Sequence, residues 1–265
     1  MKILLTGATG FIGSRVAEQL ARGGHEVYPW PRPWRFPSGH FDACIHLAWY
    51  VEHGKYLHSP LNRQCLQDSL ALAHLLIQHD CRRLIAAGTC FETIGHPSLY
   101  AECKRTLFHE LQKLPLELAW MRFFYLYGPG ESPRRLVPQV ITSLLRGESV
   151  PLTLGEQVRD FLHVADVAGA VCAIAQSKLT GALDIGSGEP VTVRELAETI
   201  GRIIGRTDLL VFGARPYPPD EPMRIVANNE RLLRTGWRPR FTLEEGLRDT
   251  ISWWQCQRLQ EAASA

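Results

Sequence analysis

Tyr100 and Lys104 stand four residues apart, a spacing that brings both side chains to one face of a helix, and Thr89 precedes the tyrosine by eleven residues. Side chains of these three types can together interconvert a carbonyl and an alcohol. A phenol, with an ordinary pKa of about 10, becomes a usable proton donor or acceptor when a neighbouring ammonium stabilises the phenolate. Lys104 is placed to supply that charge. Thr89 can donate a hydrogen bond to the same substrate oxygen, so that hydride arrival at carbon and proton delivery to oxygen are matched. Such a site needs a hydride carrier, and the start of the chain offers a place for one.

Gly7-Ala8-Thr9-Gly10-Phe11-Ile12-Gly13 follows the apolar run Lys2-Ile3-Leu4-Leu5-Thr6 and opens a segment with Ile12, Val16 and Leu20 at helical spacing. Glycines at these positions allow a tight strand-to-helix turn, close approach of the backbone to a pyrophosphate, and unpaired helix N–H groups facing the phosphates. A dinucleotide is the expected ligand, held by Gly7, Thr9, Gly10, Phe11, Ile12 and Gly13, with Leu47 and Ala48 after the third strand and Tyr100 and Lys104 of the catalytic helix. An acid at the end of the second strand would bind the adenosine ribose hydroxyl, but the positions after Tyr28 are Pro29, Trp30, Pro31 and Arg32, with Arg35 following. Guanidinium groups there suit a 2′-phosphate, so NADPH is expected in preference to NADH.

The elements that position these residues follow from apolar periodicity. Strands are expected at 2–6, 26–28, 43–47, 83–87 and 116–121, and helices at 11–22, 61–79 and 99–111, with Thr89 just past the end of the fourth strand. Short apolar runs without clean alternation suit strands buried on both faces. The alternation of strand and helix therefore implies an α/β fold, a doubly wound parallel sheet with right-handed crossovers. The proline-rich stretch 29–37 can only be a loop at a sheet edge. After Tyr127-Gly128-Pro129-Gly130 the chain turns to helices and short strands, with a loop at 215–222, which marks a smaller C-terminal lobe. The expected division is 1–127 and 164–186 for the dinucleotide-binding domain, and 128–163 and 187–265 for the lobe. The Trp253-Trp254 pair is expected to pack a final amphipathic helix.

Composition narrows the class. The chain has 265 residues, 45% hydrophobic and 21% charged, with a net charge of +2 and no basic block, which argues against a nucleic-acid partner. No apolar run reaches the roughly 20 residues of a membrane helix, and no cleavable leader is evident, so a cytoplasmic location is expected. Seven scattered cysteines, without a C-x-x-C pair, read as free thiols in a reducing compartment. His40, His46, His53 and His58 match no ligand spacing and read as loop residues; no metal site is expected.

Gly7–Gly13 together with Thr89, Tyr100 and Lys104 resembles the extended short-chain dehydrogenase/reductase superfamily, specifically the NAD-dependent epimerase/dehydratase family acting on nucleotide sugars. Arg122 to Pro129 and the stretch Arg159-Asp160-Phe161-Leu162-His163-Val164-Ala165-Asp166 are similar to further segments of that family. The resemblance implies a Rossmann domain with a substrate lobe, Arg159 binding the phosphates of a sugar nucleotide, and Thr89 and Tyr125 facing the sugar. It also implies a second phosphate-binding arginine, for which Arg215 and Arg224 are the candidates, and a homodimer through paired helices, with Leu66, Leu70, Ala73 and Ile77 as one available face. In the 4,6-dehydratases of this family the threonine is followed by Asp-Glu; here Cys90 and Phe91 follow, which argues against dehydration. The expectation is thus an NADPH-dependent 4-ketoreductase of a nucleotide-linked 6-deoxy sugar. A 4-epimerase with tightly bound NAD is the alternative, and a non-enzymatic dinucleotide sensor the remaining one.

Overall fold

The computed structural model describes residues 1–219 and 221–264, with side chains through Gln260. Asp220, inside the expected 215–222 loop, and Ala265 lie outside the described residues. In chain order the first elements are β1 (Lys2–Thr6), α1 (Phe11–Arg22), β2 (Glu26–Pro29), β3 (Ala43–His46), α2 (Leu61–Gln78), β4 (Arg83–Thr89), α3 (Leu99–Leu111) and β5 (Glu117–Phe123). There follow β6 (Tyr125–Tyr127), α4 (Leu136–Arg146), β7 (Val150–Pro151), β8 (Val158–His163), α5 (Val164–Gln176) and β9 (Gly181–Ile185). The last are β10 (Pro190–Thr192), α6 (Val193–Ile204), β11 (Leu210–Val211), β12 (Arg224–Ile225), α7 (Glu230–Leu233) and α8 (Leu243–Ser264).

The chain divides into two units. The first comprises Met1–Phe123, Val167–Ile185 and Asn228–Arg238. Its sheet runs β2-β1-β3-β4-β5-β9 with every pair parallel, the doubly wound arrangement the apolar runs imply. Ile3, Leu4, Leu5 and Ile45 are wholly buried, as strands covered by helices on both faces require. Leu72, Ala73 and Leu76 of α2 pack with Leu107 and Leu111 of α3 and Trp120 of β5 in one apolar cluster, to which Leu66 and Leu70 contribute partly buried side chains. The segment Asn228–Arg238 belongs to this unit rather than to the lobe, because the Arg231 guanidinium donates to the Ala182 and Thr180 carbonyls, the latter at 2.7 Å, and ties α7 to β9.

The second unit comprises Phe124–Asp166, Gly186–Ala227 and Pro239–Ala265. Its strands run β10-β8-β12, with β6 also on β8, and β7 pairs with β11. Val140, Ile141, Leu144, Leu196, Ile200, Leu247 and Ile251 bury the inner stripes of α4, α6 and α8, and Trp254 packs against them. Two acids of the Arg159–Asp166 stretch hold this unit together. Asp160 accepts from the Ser187 amide and hydroxyl, both at 2.7 Å, and from the amides of Gly188 at 2.9 Å and Ala227 at 3.1 Å. Asp166 accepts from the amides of Arg240 at 3.0 Å and Phe241 at 3.1 Å. Each carboxylate gathers backbone N–H donors from segments distant in sequence, which explains why acids stand at these positions.

All seven cysteines are free, six of them buried and Cys256 exposed. Among the described residues no helix is long and apolar enough to cross a membrane. One histidine departs from the loop expectation: His46 is the buried last residue of β3 and is bracketed by the Thr6 hydroxyl at 2.7 Å and the Ser69 hydroxyl at 2.8 Å.

Candidate active site

The turn between β1 and α1 is built by its glycines. Gly7 sits at φ +70°, and a Cβ there would come within 2.9 Å of the Ala48 amide; a Cβ on Gly13 would run into the Gly7 carbonyl oxygen. Gly10 caps α1 without a side-chain acceptor, and its amide donates to the Gly7 carbonyl at 3.0 Å. A Cβ on Gly10 would meet only that carbonyl oxygen within 4 Å, so the space beside the helix start is open. Thr6 fixes the neighbouring strand end, its hydroxyl accepting from the Ala48 amide at 3.2 Å and its carbonyl from the Leu47 amide at 3.3 Å. A backbone cradle at a helix N-terminus, open where the glycine lacks a side chain, fits the pyrophosphate of a dinucleotide.

Thr89, Tyr100 and Lys104 meet in the same unit. Thr89 ends β4; α3 begins one residue before Tyr100, capped by the Ser98 hydroxyl, which accepts from the Ala101 amide at 3.3 Å. The helical spacing brings Tyr100 and Lys104 together, with Lys104 Nζ 5.9 Å from the phenol ring centre, and the Thr89 side chain stands near enough to the phenol to act on its acidity. All three are at most 9% exposed. Lys104 Nζ donates to the Ala87 carbonyl at 2.6 Å and lies 3.6 Å from the centre of the Trp49 ring. Tyr56 packs edge-on to Tyr100 with ring centres 5.0 Å apart.

Burial dominates the acid–base state of this cluster. It pushes the Tyr100 phenol well above its ordinary value, reinforced by Tyr56 and opposed by the Thr89 side chain. The expected downward pull of Lys104 is not among the influences on the phenol, and burial brings the lysine itself down to about 7. Tyr100 therefore stands as a protonated acid at neutral pH.

Glu92 lies against Thr89, a neighbour that sequence alone does not single out. It lies in the short 3-10 turn Cys90–Glu92, its side chain only 2% exposed, and accepts from the Thr89 amide at 2.7 Å and the Trp120 indole at 2.8 Å. The signal was present as Thr89-Cys90-Phe91-Glu92, a capping-box spacing. Burial raises this carboxyl against the opposing pull of Trp120, Thr89, Arg122 and Lys104.

Beyond β2, Arg32 is exposed and donates to the Asp68 carboxylate of α2 at 2.8 Å, while Arg35 is exposed and offers its carbonyl to the Trp30 indole at 3.0 Å. Arg32, Trp34, Asp68, Leu72 and Leu75 line a pocket of about 740 Å³. An acid does stand beside Arg32, then, but it comes from α2 rather than from the end of β2.

The second unit carries Arg159 on β8, 3% exposed, with its guanidinium 5.3 Å from the Tyr125 ring centre and ion-paired to Glu221. Arg224, opposite Val158 on β12, is one register position from Arg159, whereas Arg215 is exposed and its amide donates to the Leu152 carbonyl at 3.0 Å. Among the described residues no three His, Cys, Asp or Glu are grouped to hold a metal ion.

Residues 3–186 match the family described as NAD dependent epimerase/dehydratase family. The chain is 25% identical to CDP-abequose synthase of Salmonella muenchen, over 95% of this chain and 97% of that one. It is 32% identical to GDP-L-fucose synthase 1 of Arabidopsis thaliana over 49% of this chain and 43% of that one. Among solved structures, the UDP-glucose 4-epimerase of Thermus thermophilus, in complex with NAD, superposes with a TM-score of 0.81 at 25% identity, covering 96% of this chain and 99% of that one. With its glycine cradle, its Thr89–Tyr100–Lys104 cluster and a match spanning most of its length, the chain belongs to the NAD-dependent epimerase/dehydratase family of nucleotide-sugar enzymes.

Proposed function

We propose that this protein reduces the 4-keto group of a nucleotide-linked 6-deoxy sugar at the expense of NADPH. The observation that carries the reading is the makeup of the cluster. Tyr100, Thr89 and Lys104 are assembled, yet Cys90 and Phe91 stand where an eliminating enzyme of the family has its acids, and both oxygens of Glu92 are already engaged by Thr89 and Trp120. When bound, the nicotinamide supplies the hydride. Tyr100 gives its proton to the developing alkoxide, Thr89 donates a hydrogen bond to the same oxygen, and Lys104 stabilises the phenolate left behind. Arg159, once released from Glu221, pairs with the diphosphate of the substrate. The names of the two synthase relatives point to CDP- and GDP-linked sugars as the substrate class. The reading includes a two-fold assembly through α2 and α3, which sedimentation would test.

A second reading, a 4-epimerase that retains NAD, is favoured by the Arg32–Asp68 pair and by the NAD-bound epimerase among the structural neighbours. Two measurements separate them. Any dinucleotide that purified protein carries is heat-released and identified, and the protein is assayed with NADPH on CDP- and GDP-linked 4-keto-6-deoxy sugars. Stoichiometric NADPH oxidation, abolished by Tyr100→Phe with cofactor binding retained, supports reduction; retained NAD and turnover without net cofactor use overturn it in favour of epimerisation.

A further inference from the structure

Glu92 has no assigned part in the chemistry, yet it grips the turn that carries Thr89. Its two oxygens reach the Thr89 amide at 2.7 Å and the Trp120 indole at 2.8 Å, and Arg122 approaches to 3.5 Å. The Lys104 ammonium overhangs the same indole, 6.0 Å from its ring centre. Gly88 is what admits this arrangement, since a Cβ there would collide with the Trp120 Nε1 and come within 2.7 Å of the Glu92 carboxylate. Such a carboxylate is too fully engaged to trade protons with a substrate. Its charge and its grip remain available to the residues that do.

We propose that Glu92 is a positioning residue of the catalytic cluster: its carboxylate fixes the Thr89 backbone and holds a buried negative charge on the indole that Lys104 overhangs, favouring the ammonium over the neutral amine. The inference rests on the reading of Thr89, Tyr100 and Lys104 given above. The charge acts against the burial of Lys104, the largest influence on that lysine. The other titratable groups facing Lys104 are Tyr100 and Cys103 from its own helix, Cys65 from α2 and His46 from β3; burial raises the Tyr100 phenol and the Cys103 thiol and lowers the His46 imidazole, which keeps these three uncharged at neutral pH. Arg122 of β5 faces Glu92 and is itself shared with Asp184 of β9 at 3.8 Å, so its charge is divided between two acids. Glu92 is therefore the acid that favours the ammonium against burial.

The test follows the lysine directly and needs no substrate. The Lys104 side chain of the full-length protein, labelled at 13Cε and assigned by its loss in Lys104→Met, is titrated by NMR in the wild type, Glu92→Asp and Glu92→Gln. The midpoint is expected near 7 in the wild type, to fall partway in Glu92→Asp, where the charge is set back by one methylene, and to fall by about one pH unit in Glu92→Gln. An unmoved midpoint in whichever variants melt cooperatively overturns the proposal, because a turn cap alone would lower the melting temperature and leave the lysine untouched. In the NADPH assay the same series is expected to shift the alkaline limb of kcat to lower pH, with cofactor affinity unchanged. Turnover surviving in Tyr100→Phe would sink the reductase reading, a result distinct from any movement of the Lys104 midpoint.

Discussion

The Arg32 guanidinium meets the Asp68 carboxylate at 2.8 Å, so the cation following β2 is paired with an acid from α2. The pair is partly exposed and adds little to stability, but on the proposed reading it sets the charge that an adenosine 2′-phosphate would meet at the end of β2. Asp68→Asn is expected to raise the affinity for NADPH relative to NADH about tenfold, and Arg32→Gln to lower that ratio by a similar factor. Fluorescence titration with both cofactors reads the effect. An unchanged ratio in both variants would place the pair away from the 2′ position.

The glycine turn gives a contrast between neighbours. Gly13→Ala drives a methyl into the Gly7 carbonyl oxygen, and is expected to cost about 1–3 kcal/mol of stability and abolish dinucleotide binding. Gly10→Ala faces that oxygen at 3.3 Å and should fold almost normally while weakening the cofactor. Thermal melts paired with cofactor titration separate the two outcomes.

Arg159 is held by Glu221 in the second unit. Releasing it with Glu221→Gln is expected to strengthen binding of CDP or UDP several-fold by calorimetry, whereas Arg159→Ala should weaken it at least tenfold. Weaker binding in Glu221→Gln would instead make the carboxylate a contact of the ligand.

His46 predicts an acid-sensitive core. Burial, with Lys104 and Arg32 adding to it, brings its imidazole from 6.5 down to about 3. The unfolded chain takes up a proton below about 6.5 and the folded chain only near 3, so stability falls as pH drops through that window. Between pH 7 and pH 4 this one group is expected to remove about 3 kcal/mol. Urea unfolding of His46→Gln should start from a lower stability at pH 7, having lost the Thr6 and Ser69 partners, and decline less steeply towards pH 4. A decline parallel to the wild type would mean that other groups set the acid limit.

Local signals carried the reading furthest. The apolar run before Gly7, the helical stripe after it and the four-residue step from Tyr100 to Lys104 depend on neighbours within a turn or two, and the parallel sheet and the buried cluster follow them. What escaped depends on partners distant in sequence. Asp68 meets Arg32 across 36 residues and Glu221 meets Arg159 across 62. Glu92 was visible as a cap, but its second partner, Trp120, stands 28 residues on. His46 was read with its loop-like neighbours because periodicity marks a strand without telling which polar residue in it finds two hydroxyls. Asp160 and Asp166 belong to a stretch suggestive of ligand binding, and their oxygens turn out to organise backbone amides.

The interleaving of the two units bears on how the chain is made. β9 pairs with β5 through five residues, from Ala119 with Gly181 to Phe123 with Ile185, and closes one side of the first sheet. During synthesis β5 leaves the ribosome long before β9 exists, so its hydrogen-bonding edge stands open while much of the second unit emerges. The nascent protein thus passes through a stage prone to strand-to-strand association, and slower translation of the 124–180 stretch would be expected to lower soluble yield without altering the finished enzyme.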